Sequence, residues 1–175
     1  MHLIITKMIV IVFGLPGSGK SYFAEHLAKI LKAKHLNSDK IRKDVDFDGN
    51  YSISSKIKVY HVLLGEVMLG VKKGERIVLD ATFYKASLRD LFVENCTKLD
   101  HKIHFIEIQA EQTIILERLN KKRKYSDADF PIYEKIRSEF EPFKAPHLIL
   151  QSTNDNLELM LKTSLEWLIQ DGLTL

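Results

Sequence analysis

Gly14-Leu15-Pro16-Gly17-Ser18-Gly19-Lys20-Ser21 sets three glycines, a lysine and a hydroxyl into one short stretch of the form GxxxxGK(S/T). Glycines let the backbone wrap an anion so that consecutive N–H groups converge on a phosphate. A helix beginning near Ser18 would add its positive dipole end. Lys20 supplies a mobile point charge for the β- and γ-phosphates of ATP, and the Ser21 hydroxyl can ligate Mg2+. The bland alternative is an ordinary glycine-rich turn between a strand and a helix, and the complete match in that context favours the cradle. A GxGxxG dinucleotide fingerprint is absent from the sequence.

Other residues could complete such a site. Ile77-Val78-Leu79-Asp80 is an apolar run ending in an acid, the form of a strand whose last carboxylate holds Mg2+ directly or through water. Taken alone, an Asp there is more commonly a turn or helix cap. Asp39 and Arg42, three residues apart, read by themselves as an ordinary ion pair in the first turn of a helix. Arg118 and the run Lys121-Lys122-Arg123-Lys124 could bring a cation to a transferring phosphoryl group, or form a solvated basic face. Arg89 could touch a substrate phosphate or pair on its own helix. His101 and His104 lack a third ligand for zinc, and Trp167 beside Leu168 and Ile169 reads as core.

Elements to hold these residues can be read from the hydrophobic pattern. Met8–Phe13 is a short apolar run ending at glycine, as in a strand buried on both faces. Tyr22, Phe23, Leu27, Ile30 and Leu31 then keep a helical period from Ser18 to Leu31. Lys34–Ser38 is a weaker strand, followed by a short helix over Asp39–Lys43 capped by Ser38. Lys43–Ser52 reads as a loop. A long helix spans Ser54–Val71, with Gly74 at its C-terminal end. Arg76–Asp80 is a strand, Leu88 to Leu99 a helix, Lys102–Gln109 a strand, and Glu111 to about Asn120 a helix. A polar stretch then leads to a strand at His147–Gln151 and a helix from about Asp155 to Ile169. Strands alternating with helices imply an α/β protein with a parallel sheet, whose ligands bind beyond the strands' carboxyl ends.

The ordered set of motifs resembles the P-loop polynucleotide 5′-kinases and zeta-toxin-type kinases. Asp39 with Arg42 looks like their DxxR motif, and Asp80-Ala81-Thr82-Phe83 followed by Arg89 resembles a DAT-x-R segment. Ser126-Asp127-Ala128-Asp129, with Tyr133 and Phe140-Glu141-Pro142 further on, resembles their mobile lid. The likeness covers Met8 to about Gln151. It implies a three-layer P-loop NTPase fold with a central parallel five-stranded sheet and a helical lid at about 121–143. It also implies Asp39 as base, Arg42 as clamp, Lys20 at the phosphates, and Ser21 and Asp80 at Mg2+. Counting four residues from Arg118, where such kinases often show arginine, gives Lys122. Lysine lacks a planar bidentate fork, so Arg123 is the favoured lid cation and Arg118 the second. The implied activity is γ-phosphoryl transfer from ATP to a hydroxyl of a nucleic-acid 5′ end, nucleoside, sugar, nucleotide sugar or antibiotic. A non-catalytic nucleotide switch or ATPase module, and a toxin acting on a nucleotide sugar, are the competing readings.

Composition agrees with one folded domain over 1–175. The 175 residues are 45% hydrophobic and 28% charged, which excludes the signature of disorder. The surplus of 26 − 23 = +3 is too small for a protein that coats duplex nucleic acid. A single cysteine, Cys96, allows no internal disulfide or thiolate cluster. No apolar run is long enough for a membrane span. We therefore expect a soluble, cytoplasmic monomer whose partners are ATP and a hydroxyl-bearing acceptor.

Overall fold

A computed structural model describes residues 8–45, 53–121 and 128–172. Its centre is β1 (Ile9–Phe13), in which every residue is buried. That burial requires cover on both faces and explains the unbroken run of Ile, Val and Phe. The other strands are β2 (Lys34–Asn37), β3 (Ile77–Asp80), β4 (Ile103–Gln109) and β5 (Leu148–Gln151). They form one five-stranded sheet in the order β2-β3-β1-β4-β5, and every pairing is parallel. The α/β class and the parallel five-stranded sheet are as the sequence implies.

Side-chain alternation along the strands builds two cores. Ile9, Ile11 and Phe13 join Leu79 and Phe105 against Val59, Leu63, Val67 and Phe92. The helices supplying those residues are α3 (Ile53–Lys72) and α4 (Ala86–Thr97). Val10, Val12, Val78, Ile106 and Ile108 face Phe23, Leu27, Leu31, Met160 and Leu168. These come from α1 (Lys20–Leu31) and α7 (Leu157–Gln170). Burying a Leu, Val or Phe side chain is worth about 1.5–3 kcal/mol relative to exposure, so each layer anchors a helix against a fixed strand face. Trp167 packs at the edge of the second core, with its ring edge-on to His104 at 5.7 Å.

Several boundaries differ from the sequence expectation for local reasons. Helix α1 begins at Lys20 rather than near Ser18, because Gly19 has a left-handed backbone (φ 94°) and serves as the N-cap. Helix α2 spans Ser38–Val45, so Lys43–Val45 are helical rather than loop, as no glycine or proline intervenes before Gly49. Its cap is Asn37, not Ser38: the Lys40 N–H donates to Asn37 Oδ1 at 2.9 Å. After α5 (Gln112–Leu119), helix α6 (Phe130–Glu139) lies within the polar stretch before β5. Asp129 caps it by accepting from the Ile132 N–H, and Pro131 occupies its first turn. Lys122, Arg123, Lys124, Ser126 and Asp127 lie outside the described residues.

Candidate active site

The glycine-rich loop sits on the carboxyl end of β1. Gly14 has φ 146°, and a Cβ there would stand 2.3 Å from the Ile108 carbonyl oxygen of β4. Gly19 has φ 94°, and its Cβ would meet side-chain atoms of Ser152 and Arg118 at 2.9 and 3.0 Å. Gly14 therefore requires glycine for space, and both positions require it for backbone freedom. Below the loop, the N-terminus of α1 has no side-chain cap, so its first-turn amides are left for an external acceptor. Lys20 and Ser18 are buried, and Ser18 Oγ has no hydrogen-bond partner. Leu15 is half-buried, while Pro16 and Gly17 are buried beneath the turn. The stretch from Gly14 to Ser21 is thus a tight, mostly buried turn with amides directed off the end of β1.

Arg118 braces this loop from the end of α5. Its Nη1 donates to the carbonyls of Gly17 (3.3 Å) and Ser18 (3.0 Å) and to Ser152 Oγ (3.2 Å). Its Nη2 donates to the Thr153 carbonyl at 2.7 Å, and its Nε to Asn154 Oδ1 at 3.2 Å. The guanidinium thus ties the cradle to the turn after β5. Burial lowers its pKa, partly offset by Glu117. An open cavity of about 700 Å³ runs along this brace between the cradle and the start of α7.

Asn37 joins the remaining elements. Strands β2 and β3 pair Asn37 with Asp80, and Asn37 Nδ2 donates to Asp80 Oδ2 at 2.5 Å. The same amide stands 3.5 Å from Ser21 Oγ. Its carbonyl caps α2, which carries Asp39 and Arg42 one turn apart. Arg42 Nη1 lies 3.3 Å from Asp39 Oδ1, so the structure brings them together as an ion pair on α2. Asn37 is not among the site residues expected from the sequence. The signal was the strand-end Asn just ahead of a short helix. Asp80 is 1% exposed, and its Oδ1 has no hydrogen-bond partner. A buried carboxylate oxygen left open, on a residue that shares the Asn37 amide with a serine hydroxyl, has the oxygen chemistry that suits a hard divalent cation such as Mg2+.

The segment after β3 is clamped from both sides. Phe83 has a left-handed backbone, φ 48°. Its N–H donates to Tyr60 Oη at 3.0 Å, and its carbonyl accepts from Arg89 Nη1 at 2.7 Å. Burial pushes the Tyr60 pKa well above the usual phenol range, opposed by the Phe83 N–H and by Arg42. Arg89 is 1% exposed, and its hydrogen bonds run to backbone carbonyls off its own helix. Its Nη2 donates to the Glu141 carbonyl at 2.8 Å, and its guanidinium lies over the Phe143 ring. Glu141 in turn accepts from the Ala86 N–H at 2.6 Å and from Lys85 at 3.2 Å. Phe140 and Phe143 pack on Phe13. The chain returning from α6 is thereby stitched to the loop that follows Asp80.

A parallel sheet in this order, with a glycine-rich loop of the GxxxxGK(S/T) pattern at the end of its central strand, is the P-loop kinase fold. The chain belongs to the AAA domain family, whose profile matches residues 9–143. Its fold is similar to that of a sugar kinase from Janibacter sp. HTCC2649 (15% identity, TM-score 0.72, covering 93% of this chain and 94% of that one). It is also similar to the APS kinase of Mycobacterium tuberculosis in complex with AMPPNP and APS (18%, 0.73, 93% and 98%). A third is shikimate kinase from Acinetobacter baumannii in complex with shikimate (15%, 0.66, 97% and 97%). Among the described residues, no helix is long and apolar enough to cross a membrane.

Proposed function

We propose that this chain is an ATP-dependent kinase that transfers the γ-phosphoryl group to an acceptor hydroxyl. The observation that carries this reading is the Asn37 side chain, which touches Asp80 and Ser21 and caps the helix bearing Asp39. One residue thus links the phosphate end of the cradle to a candidate base two positions along. A nucleotide switch has no need of a base at Asp39. In this reading the cradle amides and Lys20 bind the phosphates. Asp39 takes the proton of the acceptor hydroxyl, the freed oxygen attacks the γ-phosphorus, and the bond to the β–γ bridging oxygen breaks to release ADP. Arg42 orients the anionic end of the acceptor or the transferring group. Ser21 and Asp80 would hold Mg2+, which supplies neutralisation of the phosphate oxygens. Arg123, on the segment after α5, is the lid cation that excludes water.

The acceptor classes open to it are nucleic-acid 5′ ends, nucleosides, sugars, nucleotide sugars and antibiotics, and the DxxR, DAT and SDAD motifs support the polynucleotide-kinase and zeta-toxin group. The small-molecule kinases among its structural neighbours support an alcohol acceptor in general. ADP release measured against a panel of these acceptors tests the reading. Acceptor-dependent release supports it, whereas release at the background ATPase rate with every acceptor favours a switch. Growth arrest on expression, relieved by Lys20→Ala, would indicate the toxin branch.

A further inference from the structure

We infer that the donor site holds a nucleoside triphosphate by its phosphates with little regard to the base, so that GTP and ITP bind it about as well as ATP. The inference rests on the proposed seating of the phosphates on the glycine-rich loop. From that loop the cavity of about 700 Å³ leads past Arg118 to the first turn of α7, which makes it the place for the rest of the nucleotide. Where a site hydrogen-bonds a substrate group, the analogue lacking that group is rejected by about 10⁴-fold or more; where it does not, discrimination is far smaller. The polar side chains of the turn between β5 and α7 already bond within the protein.

Asn154 Oδ1 accepts from Arg118 Nε at 3.2 Å, and its amide also hydrogen-bonds Glu117. Asn156 Oδ1 accepts from the Thr153 N–H at 2.9 Å, while its Nδ2 donates to the Gln151 carbonyl at 2.8 Å. The Thr153 hydroxyl donates to Asp155 Oδ1 at 2.7 Å, and Ser152 Oγ and the Thr153 carbonyl accept from Arg118. Arg118 carries donors only, and each of its three nitrogens points at a protein oxygen. These bonds fix the shape of the turn and leave its side chains little with which to read a base edge. Beside them, Leu157 and Met160 offer apolar surface, whose attraction is non-directional and does not tell one purine from another.

Calorimetry on the full chain with ATP, GTP and ITP, each with Mg2+, tests this. ITP carries a carbonyl oxygen and an N–H where ATP has an amino group and a bare ring nitrogen, so it inverts that edge without added bulk. The three dissociation constants are expected to lie within about tenfold of one another. Asn154→Ala and Asp155→Ala are expected to leave the ratio of ATP to ITP affinity within about threefold of wild type. A preference for ATP of more than about tenfold over ITP or GTP overturns the inference. So does a ratio that either variant moves further than expected, since that side chain would then be reading the base. Failure of all three nucleotides to bind would overturn the seating on the loop as well. None of these readouts depends on an acceptor or on turnover, so failure here is distinct from failure of the kinase reading.

Discussion

Replacing Arg89 by leucine removes the clamp between the loop after β3 and the chain returning from α6. The guanidinium donates to the carbonyls of Phe83 at 2.7 Å and Glu141 at 2.8 Å from a site only 1% exposed. Leucine leaves both carbonyls without that donor, and an unpaired buried polar group costs about 1–3 kcal/mol. Removing a desolvated charge returns part of this, so the net loss is roughly 2–4 kcal/mol. For a chain of this size about 1 kcal/mol moves Tm by about 2–4 °C, which puts the variant's midpoint about 10 °C lower. Arg89→Lys should recover less than half of the loss, since lysine lacks the rigid planar fork that spans the two carbonyls. Differential scanning calorimetry of wild type and both variants gives the comparison. A Tm within about 2 °C of wild type for Arg89→Leu would refute the clamp.

Three other outcomes follow from the same geometry. Asp39→Asn should lower kcat by about a hundredfold or more while ATP affinity measured by calorimetry stays within about twofold; a full kcat would remove Asp39 from the chemistry. Gly14→Ala should abolish nucleotide binding in a fluorescent-nucleotide titration, because its Cβ would lie 2.3 Å from a backbone oxygen. Stability should also depend on pH through His104, whose pKa is lowered by burial and by Lys102, while Asp171, 2.9 Å away, opposes this. Below the unfolded value of about 6.5 the unfolded chain binds the extra proton first, so stability falls as pH drops through that range. Urea unfolding of His104→Gln at pH 7.5 and pH 5.5 should show a smaller difference than wild type, and an equal difference would count against it.

The parts of the site that were legible in the sequence are those contained in one stretch of chain. Gly14 to Ser21 states its chemistry because the turn and the helix start are contiguous, and the run Ile9–Phe13 announces burial on both faces. Asn37 was not legible as a hub, since its contacts reach Ser21 and Asp80, residues brought together only by the β2–β3 register. Arg89 stood undecided for the same reason: Phe83 is six residues away on the chain, but Glu141 is not. Arg118 was read as a lid cation, yet the structure places it against the carbonyls of Gly17 and Ser18. Helix α6 did carry a local signal, the Asp129 cap followed by Pro131, which the high charge of the surrounding stretch obscured.

The most direct measurement of the central claim is release of ADP from labelled ATP with and without hydroxyl acceptors, in wild type, Lys20→Ala and Asp39→Asn. The account predicts that at least one acceptor class raises wild-type release well above its water-only rate. It also predicts that the acceptor becomes labelled and that both substitutions remove the increment. Contradiction would be a wild-type rate that no acceptor changes, or an increment that survives intact in Asp39→Asn.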